Sequence, residues 1–268
     1  MTNRLVHAFA LRDSAFRSSL VRVSSFVLHA SGWTHDALSS LLFPRGCPGC
    51  AQSLPFPEVI CDPCANRLKK VEPPFCRKCG APMPRHWRVE LCPECKLERS
   101  PLRRIRSAYY YEGLVRQMIR DVKYRHRPRY LRFFACVLYP MISTEFPRSL
   151  EAIVPVPLHA AREWDRRFNQ AALIAAEVSR FSGIPVRFEL RKRSRSMPQS
   201  SLSGIARRKN LRGVFECHFS GKPPRSVLLI DDIITTGTTL TRCAAALRRA
   251  GVRHVYAATV ARAVKQTV

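Results

Sequence analysis

VLLIDDIITTGTT, residues 227–239, sets an uninterrupted apolar run against an acidic pair and a loop of threonines around one glycine. Val227, Leu228, Leu229 and Ile230 have the composition of a strand buried on both faces of a parallel sheet. Asp231 and Asp232 follow at the carboxyl end of that run, the end at which open α/β sheets bind ligands. A carboxylate there can accept hydrogen bonds from the vicinal hydroxyls of a sugar. Thr235, Thr236, Gly237, Thr238 and Thr239 then lead into a helix expected over about 240–250. Backbone N–H groups at a helix start, side-chain hydroxyls and a glycine that admits close approach form an anion cradle, which a 5′-phosphate fits. The competing reading is a polar turn that happens to be acidic. Two adjacent aspartates ending a buried strand are costly unless something uses them.

Working outward, residues 114–122 place apolar side chains at 114, 115, 118, 119 and 122, a helical stripe with Arg116, Gln117, Arg120 and Lys123 facing away. Residues 152–156 read as a short parallel strand, ended by Pro155 and Pro157. A helix is expected over 169–181, with Asn169 as its cap and Gly183 as its stop. Further strands are expected at 186–188, 214–219, 226–230 and 255–260. The fold class is therefore α/β, a parallel sheet flanked by helices. Residues 190–213 make a long polar connection of the kind compact domains reserve for a lid.

Upstream, four CxxC pairs fall within fifty residues: Cys47 and Cys50, Cys61 and Cys64, Cys76 and Cys79, Cys92 and Cys95. Eight thiols in four knuckles suit two tetrahedral, structural zinc ions. The spacing favours sequential pairing into two tandem ribbons and leaves an interleaved cross-brace open. Disulfides are the other use of eight cysteines, but no stretch reads as a usable secretory signal and thiols in a reducing compartment stay reduced. Closed four-sulfur sites replace a hydrophobic core that so short a segment can hardly build. Cys136, Cys217 and Cys243 stand alone and read as small core residues. The organisation that follows is a basic, poorly ordered extension over 1–37, a double zinc ribbon over 38–100 and the α/β domain over 101–268. No apolar run is long enough for a membrane span, and a cytoplasmic location is expected.

The charge is extreme: 46 Lys and Arg against 19 Asp and Glu leave +27 with histidines neutral. Such a surplus draws polyanions, and nucleic acid is the default polyanion of a cytoplasm. Residues 116–132 hold seven Lys or Arg and one aspartate, and residues 187–212 hold nine and one glutamate. Tyr124, Tyr130, Phe133 and Phe134 interleave with the first cluster, either to stack bases or to fill the core.

The acidic pair and Thr-Gly loop resemble the PRPP-binding signature of type I phosphoribosyltransferases. Together with the knuckles they resemble the ComF family of bacterial competence and DNA-utilisation proteins. Further matches are LLFP at 41–44, YEG at 111–113, Lys123 with Tyr124, PVPLH at 155–159, FNQ at 168–170, Gln199, Leu202, Arg207 with Asn210, and Ala261 with Arg262. The likeness covers about residues 38–264. It implies a phosphoribosyltransferase-like domain in which Asp231 and Asp232 orient the ribose and the Thr loop anchors its phosphate. PVPLH would be the pyrophosphate turn, with Arg162 and Arg166 nearby, and Mg²⁺ would accompany PRPP. Arg191, Lys192, Arg193, Arg195, Arg207 and Arg208 would supply the phosphate contacts of a closing loop, and His159 would be a structural or hydrogen-bonding residue, with an acid-base role as the alternative. Arg167 stands where the family has glycine: if that glycine serves a positive φ or a close phosphate approach, the loop's geometry does not carry over, although an arginine can itself clamp a pyrophosphate. No residue announces a nucleobase, since residues 100–112 or the ribbons occupy the place of a specificity hood. The resemblance implies single-stranded DNA and a helicase or other competence protein as partners. It allows three roles: phosphoribosyl transfer, DNA binding through the ribose-phosphate site, or a PRPP-sensing scaffold.

Overall fold

The computed structural model describes residues 45–55, 58–98, 100–125, 127, 129–158, 168–192 and 214–264. The chain divides into two compact units between Leu68 and Lys69. In the first, β1 (Arg45–Gly46) and β2 (Ser53–Leu54) pair antiparallel, and the short helix α1 (Asp62–Asn66) follows. Among the described residues of this unit the buried apolar side chains are Leu54, Ile60, Leu68 and three cysteines.

The second unit opens with the second cysteine set and helix α2 (Pro93–Leu97). Four parallel strands follow: β3 (Leu102–Tyr110), β4 (Ala152–Pro155), β7 (Ser226–Ile234) and β8 (His254–Arg262), in the order β3-β8-β7-β4. Helices α3 (Gly113–Tyr124), α4 (Arg129–Glu145), α5 (Gln170–Ser182) and α6 (Thr238–Arg249) complete the layers. Val227 and Leu229 share a core cluster with Leu240, Cys243, Ala244 and Leu247 of α6. Leu228 and Ile230, on the opposite face by strand alternation, are just as fully buried. That is why this strand reads as continuously apolar. The Asn169 side chain accepts from the amides of Ala171 and Ala172, and Gly183 closes α5 at φ 72°. No helix among the described residues is long and apolar enough to cross a membrane.

The structure departs from the sequence reading in four places. Residues 186–188 do not form a strand: Val186 makes a single parallel bridge to Ile153, and the chain continues to β5 (Leu190–Lys192). The expected strand at 214–219 shortens to β6 (Phe215–Cys217), which pairs antiparallel with β5 and stays out of the parallel sheet. Phe215 and Cys217 bury against α6 there. The acidic pair lies inside β7, because Ile233 and Ile234 still pair with Ala261 and Arg262. Residues 102–110 of the supposed hood region form an edge strand of the central sheet.

That edge is covered by the second ribbon. Lys70 bridges Tyr109 antiparallel, and the Ile105 amide donates to the Lys78 carbonyl at 2.8 Å. Gly80, at φ +68°, permits the approach, since a Cβ there would come within 2.7 Å of the Ile105 carbonyl oxygen. The buried Arg106 donates from Nε to Glu145 at 2.6 Å, from a terminal nitrogen to the Arg77 carbonyl at 3.2 Å, and stacks over Phe75. Arg262, equally buried, donates to the Cys79 carbonyl. An exposed strand edge is a template for unwanted pairing, and here ribbon backbone occupies it.

Candidate phosphoribosyl site and metal centres

The cysteines fall into two groups, Cys47, Cys50, Cys61 and Cys64 in one and Cys76, Cys79, Cys92 and Cys95 in the other, each with all sulfurs within 4.8 Å of one another. Sequential pairing is therefore the arrangement found. A zinc tetrahedron with Zn–S of about 2.3 Å has an S···S edge of about 3.8 Å. The Cys50–Cys61 and Cys79–Cys92 sulfurs stand 3.6 and 3.7 Å apart, near that edge and far beyond a disulfide bond of about 2.05 Å. Cys61 and Cys92 each begin a short helix with proline in its first turn, where the missing N–H is no loss.

The electrostatics also call for a cation. Burial opposes the Cys47 thiolate, yet amides of Cys61, Gly49 and Cys50 bring its pKa down to about 6. Burial opposes the Cys76 thiolate too, and amides of Cys79, Cys92 and Lys78 bring it to about 7. Cys64, crowded by Cys61 and then buried, is pushed up to about 12. Burial and then the charge of Cys79 push Cys95 to about 12. Four such sulfurs cannot all ionise without positive charge among them, and the two groups fit two structural zinc ions. Among the isolated cysteines, Cys217 and Cys243 are buried and Cys136 is half-buried. Burial raises the pKa of all three, so they are inert packing groups.

At the carboxyl end of β7, strand alternation puts Asp232 on the face of Leu228 and Ile230, toward α3 and α5. Asp232 is buried, and its Oδ2 accepts from Lys123 Nζ at 2.6 Å and Gln170 Nε2 at 3.2 Å. Asp231 falls on the α6 face and is half-buried. Its Oδ1 accepts the Asp232 amide at 2.9 Å. Burial, and then the negative charge of Asp232, push the Asp231 carboxyl well above the usual range. Beyond the strand, Gly237 caps α6 in the left-handed conformation, at φ 78°, and brings no side-chain cap. First-turn amides of a helix lack intrahelical partners. Thr235, Thr236, Thr238 and Thr239 are exposed around them, and the Thr236 and Thr238 hydroxyls share a hydrogen bond of 2.9 Å.

The structure thus brings together Asp231, Asp232, Thr235, Thr236, Gly237, Thr238 and Thr239 on one strand-loop-helix unit. Arg162, Arg166, Arg167, His159 and residues 193–213 lie outside the described residues, as do residues 1–44 with the LLFP segment. Tyr130 and Phe134 belong to the core, while Tyr124 is exposed. Two residues of the site escaped the reading by composition. Lys123, assigned to the solvent side of its helix, has a side chain only 15% exposed. It lies four residues after the buried Ile119, about 40° around the helix, at the border of the apolar stripe. Gln170, the first residue of α5, is buried against Asp232. The KY and FNQ matches marked both positions without giving them a role.

Residues 38–96 match a model of the double zinc ribbon domain, and residues 171–268 a model of the phosphoribosyl transferase domain. Competence protein F of Haemophilus influenzae is 33% identical over 212 residues, which cover 76% of this chain and 90% of that protein. Competence protein ComFC of Bacillus subtilis is 30% identical over 194 residues, covering 68% and 75%. DNA utilization protein YhgH of Escherichia coli K12 is 27% identical over 201 residues, covering 73% and 87%. A double ribbon followed by a phosphoribosyltransferase-like sheet, with relatives this similar over most of their length, places the chain in the ComF family of competence and DNA-utilisation proteins.

Proposed function

We propose that the protein binds PRPP or a ribose 5-phosphate group at Asp231, Asp232 and residues 235–239, and works in DNA uptake or utilisation with single-stranded DNA as its polyanionic partner. The observation that carries the reading is the start of α6 at Gly237, where Thr236 Oγ1 meets only one amide, that of Thr238 at 3.4 Å, set just beyond a strand whose last residues include two carboxylates. Amides and hydroxyls hold the phosphate as a handle, and carboxyl groups meet the sugar. In the enzymatic form of this reading, an acceptor's electron pair forms a bond to the anomeric carbon as the C–O bond breaks and pyrophosphate leaves with its pair. Mg²⁺ would travel with the diphosphate, and Arg162 and Arg166 would face it. In the non-catalytic form, the same site senses PRPP while the ribbons recruit a helicase or another competence protein. The commitment of Asp232 to Lys123 favours the second form, since a carboxylate already neutralised lends little charge to a cationic transition state.

Calorimetry with PRPP and with ribose 5-phosphate on the zinc-loaded chain tests the site. Binding of both is expected, and Gly237→Val should weaken it at least about tenfold, by about 1.4 kcal/mol, because valine strains the positive φ and crowds the cradle. Absence of heat with either ligand overturns the reading. Pyrophosphate release with an acceptor base would establish the enzymatic form.

A further inference from the structure

We propose that the Lys123 ammonium takes the place of a divalent cation at the acidic pair, so that this site receives a phosphorylated ribose with no metal on Asp231 or Asp232. The inference deepens the ribose-phosphate reading and rests on it for the ligand, though not for the metal.

The residues present do not fit a magnesium site. Mg²⁺ requires near-octahedral oxygen ligands at about 2.0–2.1 Å and usually one or two free carboxylates. Asp232 Oδ2 already holds the Lys123 ammonium at 2.6 Å and the Gln170 amide at 3.2 Å. The side chains of Lys123 and Asp232 are only 15% and 8% exposed, so their attraction is little screened. Asp231 Oδ1 is turned back onto the Asp232 amide. Burial beside a second carboxylate favours its neutral acid form, which donates a hydrogen bond and ligates metal poorly. Seating a divalent ion on Asp232 Oδ2 and Asp231 Oδ1 would require breaking a buried ion pair and ionising a half-buried acid.

A sugar fits where the metal does not. Gln170 Oε1 is buried and has no hydrogen-bond partner among the described residues. It belongs to the amide whose nitrogen contacts Asp232, so a donor is missing beside the pair. An unpaired buried acceptor is costly, and a ribose hydroxyl would satisfy it. An ammonium carries three N–H groups, so Lys123 can hold Asp232 and also donate to a sugar oxygen. Lys123 is a positioning residue that substitutes for metal charge at the pair, and the ligand class is a phosphorylated ribose whose hydroxyls meet Asp231, Asp232 and Lys123 with no metal between them.

Mn²⁺ titrated alone into the full zinc-loaded chain and followed by electron paramagnetic resonance decides the metal question. Wild type should show no Mn²⁺ site that Asp232→Asn removes. Lys123→Met should gain one, and adding Asp232→Asn should abolish it; Lys123→Arg should gain none. An Asp232-dependent site in the wild type, or none in a folded Lys123→Met, overturns the proposal. If Lys123→Met does not fold, Lys123→Gln replaces it in the same titration, and the wild-type titration is decisive with either variant. In a second arm, ribose 5-phosphate is titrated into the zinc-loaded chain in buffer freed of divalent ions by resin, without or with added Mg²⁺. Equal affinities are expected, and a gain of about tenfold with Mg²⁺, or about 1.4 kcal/mol, counts against the proposal. Failure of ribose 5-phosphate to bind in either condition would remove the ribose-phosphate reading, while the Mn²⁺ arm would still decide what Lys123 excludes.

Discussion

Asp231 shows how a candidate binding residue burdens the fold that carries it. Partial burial and then the charge of neighbouring Asp232 push its carboxyl well above the usual range. An unfolded aspartate titrates near pH 3.9, so between that value and the raised one the folded protein holds the extra proton. Stability therefore falls as pH climbs through this window, and it is not regained above the folded value. Asp231→Asn removes the titration. Its urea midpoint should exceed that of the wild type at pH 7, and the two should converge as pH falls to about 4. Zinc thiolates titrate alike in both proteins and cancel in the difference. A variant less stable than wild type at pH 7, or a gap unchanged with pH, would refute the assignment. The same variant should bind ribose 5-phosphate more weakly, the usual exchange of stability for function at a site.

At the level of elements, the junction of the second ribbon with β3 couples metal binding to the parallel sheet. The Val71 amide bonded to the Ala108 carbonyl, the Lys69 and Lys78 carbonyls accepting from Tyr110 and Ile105, the close pass at Gly80 and the buried Arg106 and Arg262 all depend on the ribbon keeping its shape. Cys76→Ser should therefore lower hydrogen-exchange protection of the β3 amides by about tenfold or more, while α5 keeps its own. Unchanged protection in β3 would mean that the sheet holds its edge without the ribbon. The same junction explains why this strand was hidden in the sequence. LRRIRSAYY, residues 102–110, carries three arginines, and what makes Arg106 tolerable inside is Glu145, Phe75 and the Arg77 carbonyl, all distant along the chain. By contrast β7 and α5 were legible, because an apolar run, an asparagine cap and a stop glycine act locally. The Asp-Asp and Thr-Gly parts of the site were legible for the same reason. Lys123 was not, since only the fold brings the end of α3 to β7. Cysteine spacing admitted two pairings, and the sulfur positions leave one.

For the whole molecule the dominant quantity is charge: +27, with histidines neutral. Some of it gathers at the amino end of the sheet, where the Arg225 carbonyl accepts from the amides of Arg253 and His254, and Arg248 donates to the Arg253 carbonyl. Burial, followed by the charges of Arg103, Arg248, Arg225 and Arg253, lowers the His254 pKa, so this surface stays cationic without help from the imidazole. The basic run of residues 187–212 includes the exposed Arg191. If single-stranded DNA is the polyanionic partner proposed above, a field of this kind engages its phosphates, so affinity should depend on salt far more than on base sequence. Each phosphate neutralised on single-stranded DNA contributes about 0.7 to the slope of log affinity against log salt. Replacing Arg191, Arg207 and Arg208 by glutamine should therefore make that slope shallower by about 2, with equal effect on oligonucleotides of unrelated sequence. Fluorescence anisotropy across a salt series measures it. A slope unchanged by the triple substitution would move the strand off this segment, and an affinity indifferent to salt would remove DNA as the polyanion the charge is there to hold.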